Sequence, residues 1–87
     1  MSAVADLLQQ AVAQHQAGAV AAAGALCRQV VELEPRHADA WHLLGVVASA
    51  EHRTQDAVEN FHRALELDAN LADVHYVLGA ALTSLGQ

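Results

Sequence analysis

The segment Trp41-His42-Leu43-Leu44-Gly45-Val46-Val47-Ala48 is followed, nine residues on, by Ala57-Val58-Glu59-Asn60-Phe61. Its core pair, Leu44-Gly45, returns as Leu78-Gly79, thirty-four positions later. Outward from that pair the same offset relates Ala23 to Ala57, Cys27 to Phe61, Leu33 to Leu67, and Ala38-Asp39 to Ala72-Asp73. Val31-Glu32-Leu33-Glu34-Pro35 falls on Leu65-Glu66-Leu67-Asp68-Ala69, and Gly18, His52 and Gly86 share one place in the register. Self-similarity at a fixed period without insertions is the mark of stacked supersecondary units. The apolar residues within each unit recur at three- and four-residue spacing, which puts them on one face of a helix. Alanine dominates them, and alanine both favours the helix and lets neighbouring backbones approach. The chain is therefore expected to be all-α.

The spacing predicts five helices, Ala3–Ala17, Val20–Leu33, Asp39–Glu51, Gln55–Leu67 and Ala72–Leu85, in one domain spanning residues 1–87. Small residues at Ala11, Gly45 and Gly79 recur where the first helix of each pair must meet its partner closely. Ala23, Ala57 and Ala64 supply matching gaps, and Leu44, Trp41, Phe61 and Leu65 fill the space between. Pro35 stops the second helix, because it lacks an amide proton and clashes with the preceding turn. Thr54 is placed to cap the fourth helix with its hydroxyl. Gly18 and Gly86 suit a tight inter-helix turn that His52 must make at higher cost.

These residues resemble the tetratricopeptide repeat, a thirty-four-residue helix–turn–helix with W-x2-L-G-x2-Y, then A-x3-F, then P. Trp41, Leu44, Gly45, Ala57 and Phe61 fit it, while Ala48 replaces the Tyr and Ala69 stands where Pro is usual. The first copy, residues 4–37, keeps Ala11, Gly18, Ala23 and Pro35 but has Leu7 for the Trp and Cys27 for the aromatic. The second copy is 38–71, and a partial third, 72–87, has His75 for the Trp and keeps Leu78-Gly79. The resemblance covers essentially the whole chain, about two and a half repeats. It implies a right-handed solenoid whose concave groove is lined by the first helix of each pair, and a scaffold that binds a peptide or partner helix there.

Charge narrows the partner. The net charge is −6 with His neutral, and the four basic residues are Arg28, Arg36, Arg53 and Arg63, with no lysine. A nucleic-acid binder needs a cationic stripe to displace counterions from phosphate, and an anionic membrane surface repels an acidic chain. Neither is an expected partner; a neutral or basic protein or peptide is. In the groove the repeat register places Ala5, Leu8, Val12 and His15 from the first copy, Asp39, His42, Val46 and Ser49 from the second, and Asp73, Tyr76, Ala80 and Thr83 from the third. That stripe is mildly acidic and partly apolar. Family members that grip acidic chaperone tails do so with Lys, Arg and Asn, and this chain has Leu8, Val12, Asp39, His42, Val46 and Asp73 in the corresponding places.

No chemistry suggests itself. Histidines 15, 37, 42, 52, 62 and 75 contain no i,i+3 or i,i+4 pair, so a helical metal site is not expected. Cys27 occupies a core position and reads as a small buried hydrophobe. A phosphate-cradling Gly-rich loop is missing, as is a paired carboxylate in a plausible pocket. No cofactor, metal or catalytic residue is expected. The lone cysteine accords with a reducing cytoplasm, and the start of the chain has no secretory pattern. An alanine-rich, lysine-free composition points to a GC-rich bacterial source.

The third copy carries Val74, Val77, Leu78, Ala81, Leu82 and Leu85 on a single helix. Leu78, Leu82 and Leu85 lie on the face that a second helix would cover in a complete repeat. Burying three leucines is worth roughly 5–9 kcal/mol. Self-association through these three residues, giving a homo-oligomer, is therefore expected. An alternative is that the chain is the N-terminal recruiting segment of a larger enzyme, since glycosyltransferases and sulfotransferases carry similar repeats ahead of a catalytic domain.

Overall fold

The computed structural model describes residues 3–68. Within them the chain forms four α-helices and no strand: α1 (Ala3–Gln16), α2 (Val20–Leu33), α3 (Ala38–Ala50) and α4 (Thr54–Leu67). The fifth expected helix, 72–85, lies outside the described residues. α1 packs along α2 and α3 along α4, each pair being a helical hairpin, and α2 against α3 joins the pairs. α1 touches α3 only lightly.

The turns inside the hairpins follow from two backbone conformations. Gly18 has φ +85° and His52, thirty-four residues on, has φ +62°. Left-handed backbone is free for glycine and costs about 1 kcal/mol or more for a residue with a Cβ. His52 therefore makes the same turn as Gly18, but strained. The Arg53 guanidinium ties the surroundings together, donating to Glu51 at 2.6 Å and to Asp56 at 2.9 Å. Both ion pairs are exposed, and such pairs contribute little to stability. Thr54 does not cap α4: the N-cap is Arg53, without a side-chain cap hydrogen bond, and Thr54 is the first helical residue.

Between the pairs, α2 ends at Leu33, and the Glu34 backbone N–H donates to the Val30 carbonyl. The chain then crosses Pro35 and Arg36 to His37. There the imidazole takes the N-cap role: Nδ1 accepts the Ala40 N–H at 3.2 Å. Trp41, one turn into α3, sends its indole N–H back to the Pro35 carbonyl at 2.8 Å. The link between the hairpins is thus pinned by side chains at both ends. Arg63 of α4 adds a cation–π contact, its guanidinium carbon 5.1 Å from the centre of the Trp41 ring.

The core is made of small residues around a few large ones. Ala11, Ala23, Cys27, Val30, Ala40, Val47, Ala48, Ala57, Phe61 and Ala64 are fully buried. Phe61 is the largest of them and lies against Gly45: a Cβ built there would meet ring atoms Cδ1 and Cζ at 2.5 and 2.9 Å. Glycine at 45 is thus the hole that admits the ring. Cys27 occupies the equivalent place in the first hairpin, opposite Ala11, and the smaller knob there accepts a methyl in the facing helix.

The repeat also shows how α1 differs from α3. Ala40 and Leu44, which α3 buries against the first hairpin, correspond thirty-four residues earlier to Asp6 and Gln10, both exposed. Likewise Leu43 corresponds to Gln9 and the buried Val47 to Ala13, and again the α1 residues are exposed. The side of α1 equivalent to α3's packed side is thus mostly polar and exposed.

Candidate partner-binding groove

An open depression of about 680 Å³ runs along the outward face of α1. Seven of its lining residues come from α1: Val4, Ala5, Leu8, Gln9, Val12, Ala13 and Gln16. Their spacing of three and four residues keeps them on one helix face for almost four turns. The other wall is Glu34 and His37, from the link between the hairpins. The link can form a wall because it is held: the His37 cap fixes the ring, and the Trp41–Pro35 hydrogen bond fixes the turn before it.

Most of the surface is apolar. Leu8 is half-buried beside Val4, Val30 and Ala40, and Val12 leaves 40% of its surface in water. With Leu33, Val12 is one of the two large hydrophobic side chains that the described residues expose. Glu34 is the one charged residue among those lining the depression. Its carboxylate makes no ion pair or hydrogen bond with any described residue. Because His37 Nδ1 accepts from the Ala40 N–H, any proton on the neutral ring is on Nε2.

The residues singled out from the sequence divide accordingly. Ala5, Leu8 and Val12 come together in the depression. His15, in the last turn of α1, is half-buried outside its lining. On α3, Asp39 and Ser49 are exposed, and Val46 is half-buried against the Ala48–Ala57–Phe61–Ala64 cluster. His42 stands beside Phe61, ring centres 6.1 Å apart and tilted by 51°. These four α3 residues do not line the depression. Asp73, Tyr76, Ala80 and Thr83, and the self-association residues Leu78, Leu82 and Leu85, lie outside the described residues. Val4, Gln9, Ala13, Gln16, Glu34 and His37 also line it, outside the stripe expected from the sequence. The first four were in reach, being helical neighbours of Ala5, Leu8 and Val12.

Nothing in this groove resembles a reaction centre. Burial pushes the Cys27 thiol up to about 11, against a smaller opposing pull from Arg28, so it is a neutral core group at pH 7. Among the described residues no three His, Cys, Asp or Glu side chains are grouped to hold a metal ion. No described helix is long and apolar enough to cross a membrane.

Comparison with known proteins places this geometry. Residues 26–59 match the family model described as Tetratricopeptide repeat, a match one repeat long. Among solved structures, the crystal structure of MamA superposes with a TM-score of 0.92 at 27% identity, over 97% of this chain and 49% of that one. The first TPR of Spaghetti, bound to an HSP90 peptide, gives a TM-score of 0.89 at 22% identity, over 93% of this chain and 64% of that one. The Thermobaculum terrenum O-GlcNAc transferase gives 0.87 at 32% identity, over 91% of this chain but only 15% of its own. The chain thus spans about half the length of MamA and a small part of the transferase. No curated protein matches it. The thirty-four-residue register, the stacked hairpins, the matched segment and these superpositions together make this chain a tetratricopeptide-repeat protein of a few repeats, with the architecture of a protein-interaction scaffold.

Proposed function

We propose that the chain binds a peptide or partner helix along the first helices of its hairpins and carries out no reaction of its own. The observation that carries this is the depression on α1, where Val12 stays exposed beside the half-buried Leu8 along one continuous, mostly apolar helix face. Apolar surface gathered in a groove is the usual footprint of a docking partner. The stripe continues in this proposal through His15, Asp39, His42, Val46 and Ser49 to Asp73, Tyr76, Ala80 and Thr83. The bound segment is neutral or basic. Of the four arginines, Arg53 is engaged by Glu51 and Asp56 and Arg63 lies over Trp41, and none of the four lines the groove. A carboxylate-rich ligand such as the one Spaghetti holds would find no clamp there. The proposed setting is the cytoplasm, in a bacterial cell.

A display library of fourteen-residue peptides selected on the chain tests this. Selected peptides should lose at least about tenfold in affinity for Leu8→Glu and Val12→Glu variants, since each buries a charge in the interface. Peptides that bind both variants unchanged would place the site elsewhere.

The scaffold is further proposed to self-associate through Leu78, Leu82 and Leu85. Light scattering on a sizing column should give a mass above one chain, reduced by Leu82→Glu with helicity kept; an unchanged mass in that variant removes the interface. A second reading, a recruiting segment ahead of a transferase domain, is favoured by the 32% identity over a small part of the O-GlcNAc transferase. The reading frame beyond Gln87 decides it: a transferase domain there supports the second reading, further repeats the first.

A further inference from the structure

We propose that the α1 groove selects a basic amphipathic helix, with aliphatic side chains over Leu8 and Val12 and a lysine or arginine on Glu34. The inference rests on the groove reading above and names the chemistry of its occupant.

Two observations lead to it. The first is charge. Glu34 is the one charged residue lining the groove, it is exposed, and its carboxylate has no partner among the described residues. It stands at the C-terminal end of α2, where free carbonyls add negative potential to its own charge. A cation is the complement of that corner, and the net charge of −6 steers one toward it. Arg36, two residues on, does not line the groove.

The second is shape, and it comes from the internal repeat. Gln9 and Val12 in the groove correspond to Leu43 and Val46 on α3. Leu43 packs into the Ala11–Cys27–Leu44 cluster of the first hairpin, whereas Val46 packs against the Phe61 cluster of its own hairpin. The edge of the α1 groove at Gln9 is therefore a surface whose copy in the same chain already receives a helical hairpin. On α1 the polar Gln9 and Gln10 replace the two leucines, which weakens permanent stacking and leaves a smaller apolar strip around Leu8 and Val12. A strip of that width suits a single helix that comes and goes.

The probes are two synthetic fourteen-residue helical peptides with one apolar stripe, one with lysine at every polar position and one with glutamate. Each is titrated into the isotope-labelled full chain while amide shifts are followed, and affinities are compared in Glu34→Lys and in Glu32→Lys. Both variants change net charge equally, but Glu32 lies outside the groove lining. The lysine peptide should shift the amides of Leu8, Gln9, Val12 and Ala13, and Glu34→Lys should weaken it about tenfold against about twofold for Glu32→Lys. Equal effects of the two variants, or equal binding of the glutamate peptide, would overturn the charge assignment. Shifts confined to Asp39, His42 and Ser49 would overturn this site while leaving groove binding intact. No shift with either peptide, where display-selected peptides do bind, overturns the helical occupant alone; no binding by any of them removes the groove reading as well.

Discussion

Gly45→Ala should destabilise the chain although alanine is the better helix former. Glycine inside a helix costs about 1 kcal/mol relative to alanine, so at an open position the change would be favourable. Here the new methyl carbon would lie 2.5 Å from Cδ1 and 2.9 Å from Cζ of Phe61, separations that real Cβ contacts do not show. Phe61 is fully buried and cannot swing into solvent, so the α3–α4 spacing must open. Overpacking of this kind costs up to about 3 kcal/mol, leaving a net loss of about 1–2 kcal/mol. In urea followed by helical circular dichroism, at one fixed protein concentration, that loss is a midpoint shift of roughly 1 M. The same substitution in a Phe61→Leu background removes the ring and should be neutral, or stabilising by up to about 1 kcal/mol. The double-mutant cycle should then show a coupling of about 1–3 kcal/mol. A Gly45→Ala chain as stable as the parent, or equally destabilised with and without the ring, would refute the packing argument.

Other perturbations probe the caps, the strained turn and the buried thiol. His37→Ala should cost about 0.5–2 kcal/mol by removing the α3 cap, and His37→Asn should restore most of it; equal melts for both variants would mean the imidazole does not cap. His52→Gly should raise stability by about 1 kcal/mol in thermal unfolding, because it relieves a side chain held at φ +62°, and a lowered melting temperature would contradict this. Cys27 gives stability an alkaline limit. Its thiol is raised in the fold from 9.0 to about 11, so the unfolded chain ionises first and stability falls as pH rises between those values. The loss is on the order of 2–3 kcal/mol, and a Cys27→Ala chain should lack that slope between pH 8.5 and 10.5. An identical slope in the variant would assign it to other groups.

Much of the fold is legible from one period. Once Leu44-Gly45 is set on Leu78-Gly79, the register places Ala11, Ala23, Cys27, Ala57, Phe61 and Ala64 inside, and all six are fully buried. Gly18 and His52 share a left-handed turn because the register puts them at one place, whatever their side chains. Local preference is a poorer guide where two residues compete for one task. Thr54 is a good cap by type, yet α4 begins one residue too early for it. His37 is not a favoured cap by type, yet its Nδ1 is in position to accept. The groove was half legible for a related reason. A stripe read along one helix finds Ala5, Leu8 and Val12, but no periodicity reveals that the link after α2 folds over to supply Glu34 and His37. That wall depends on the Trp41 indole reaching the Pro35 carbonyl, a tertiary contact without a sequence signal of its own.

Whether partners dock along the first helices of the hairpins, as proposed, is decided by where a display-selected peptide lands on the labelled full chain. Amide shifts should concentrate at Ala5, Leu8 and Val12 and extend to His42 on α3, with the outer faces of α2 and α4 unmoved. Shifts concentrated instead at exposed residues of those second helices, such as Gln29, Glu59 and His62, would contradict docking on the first helices.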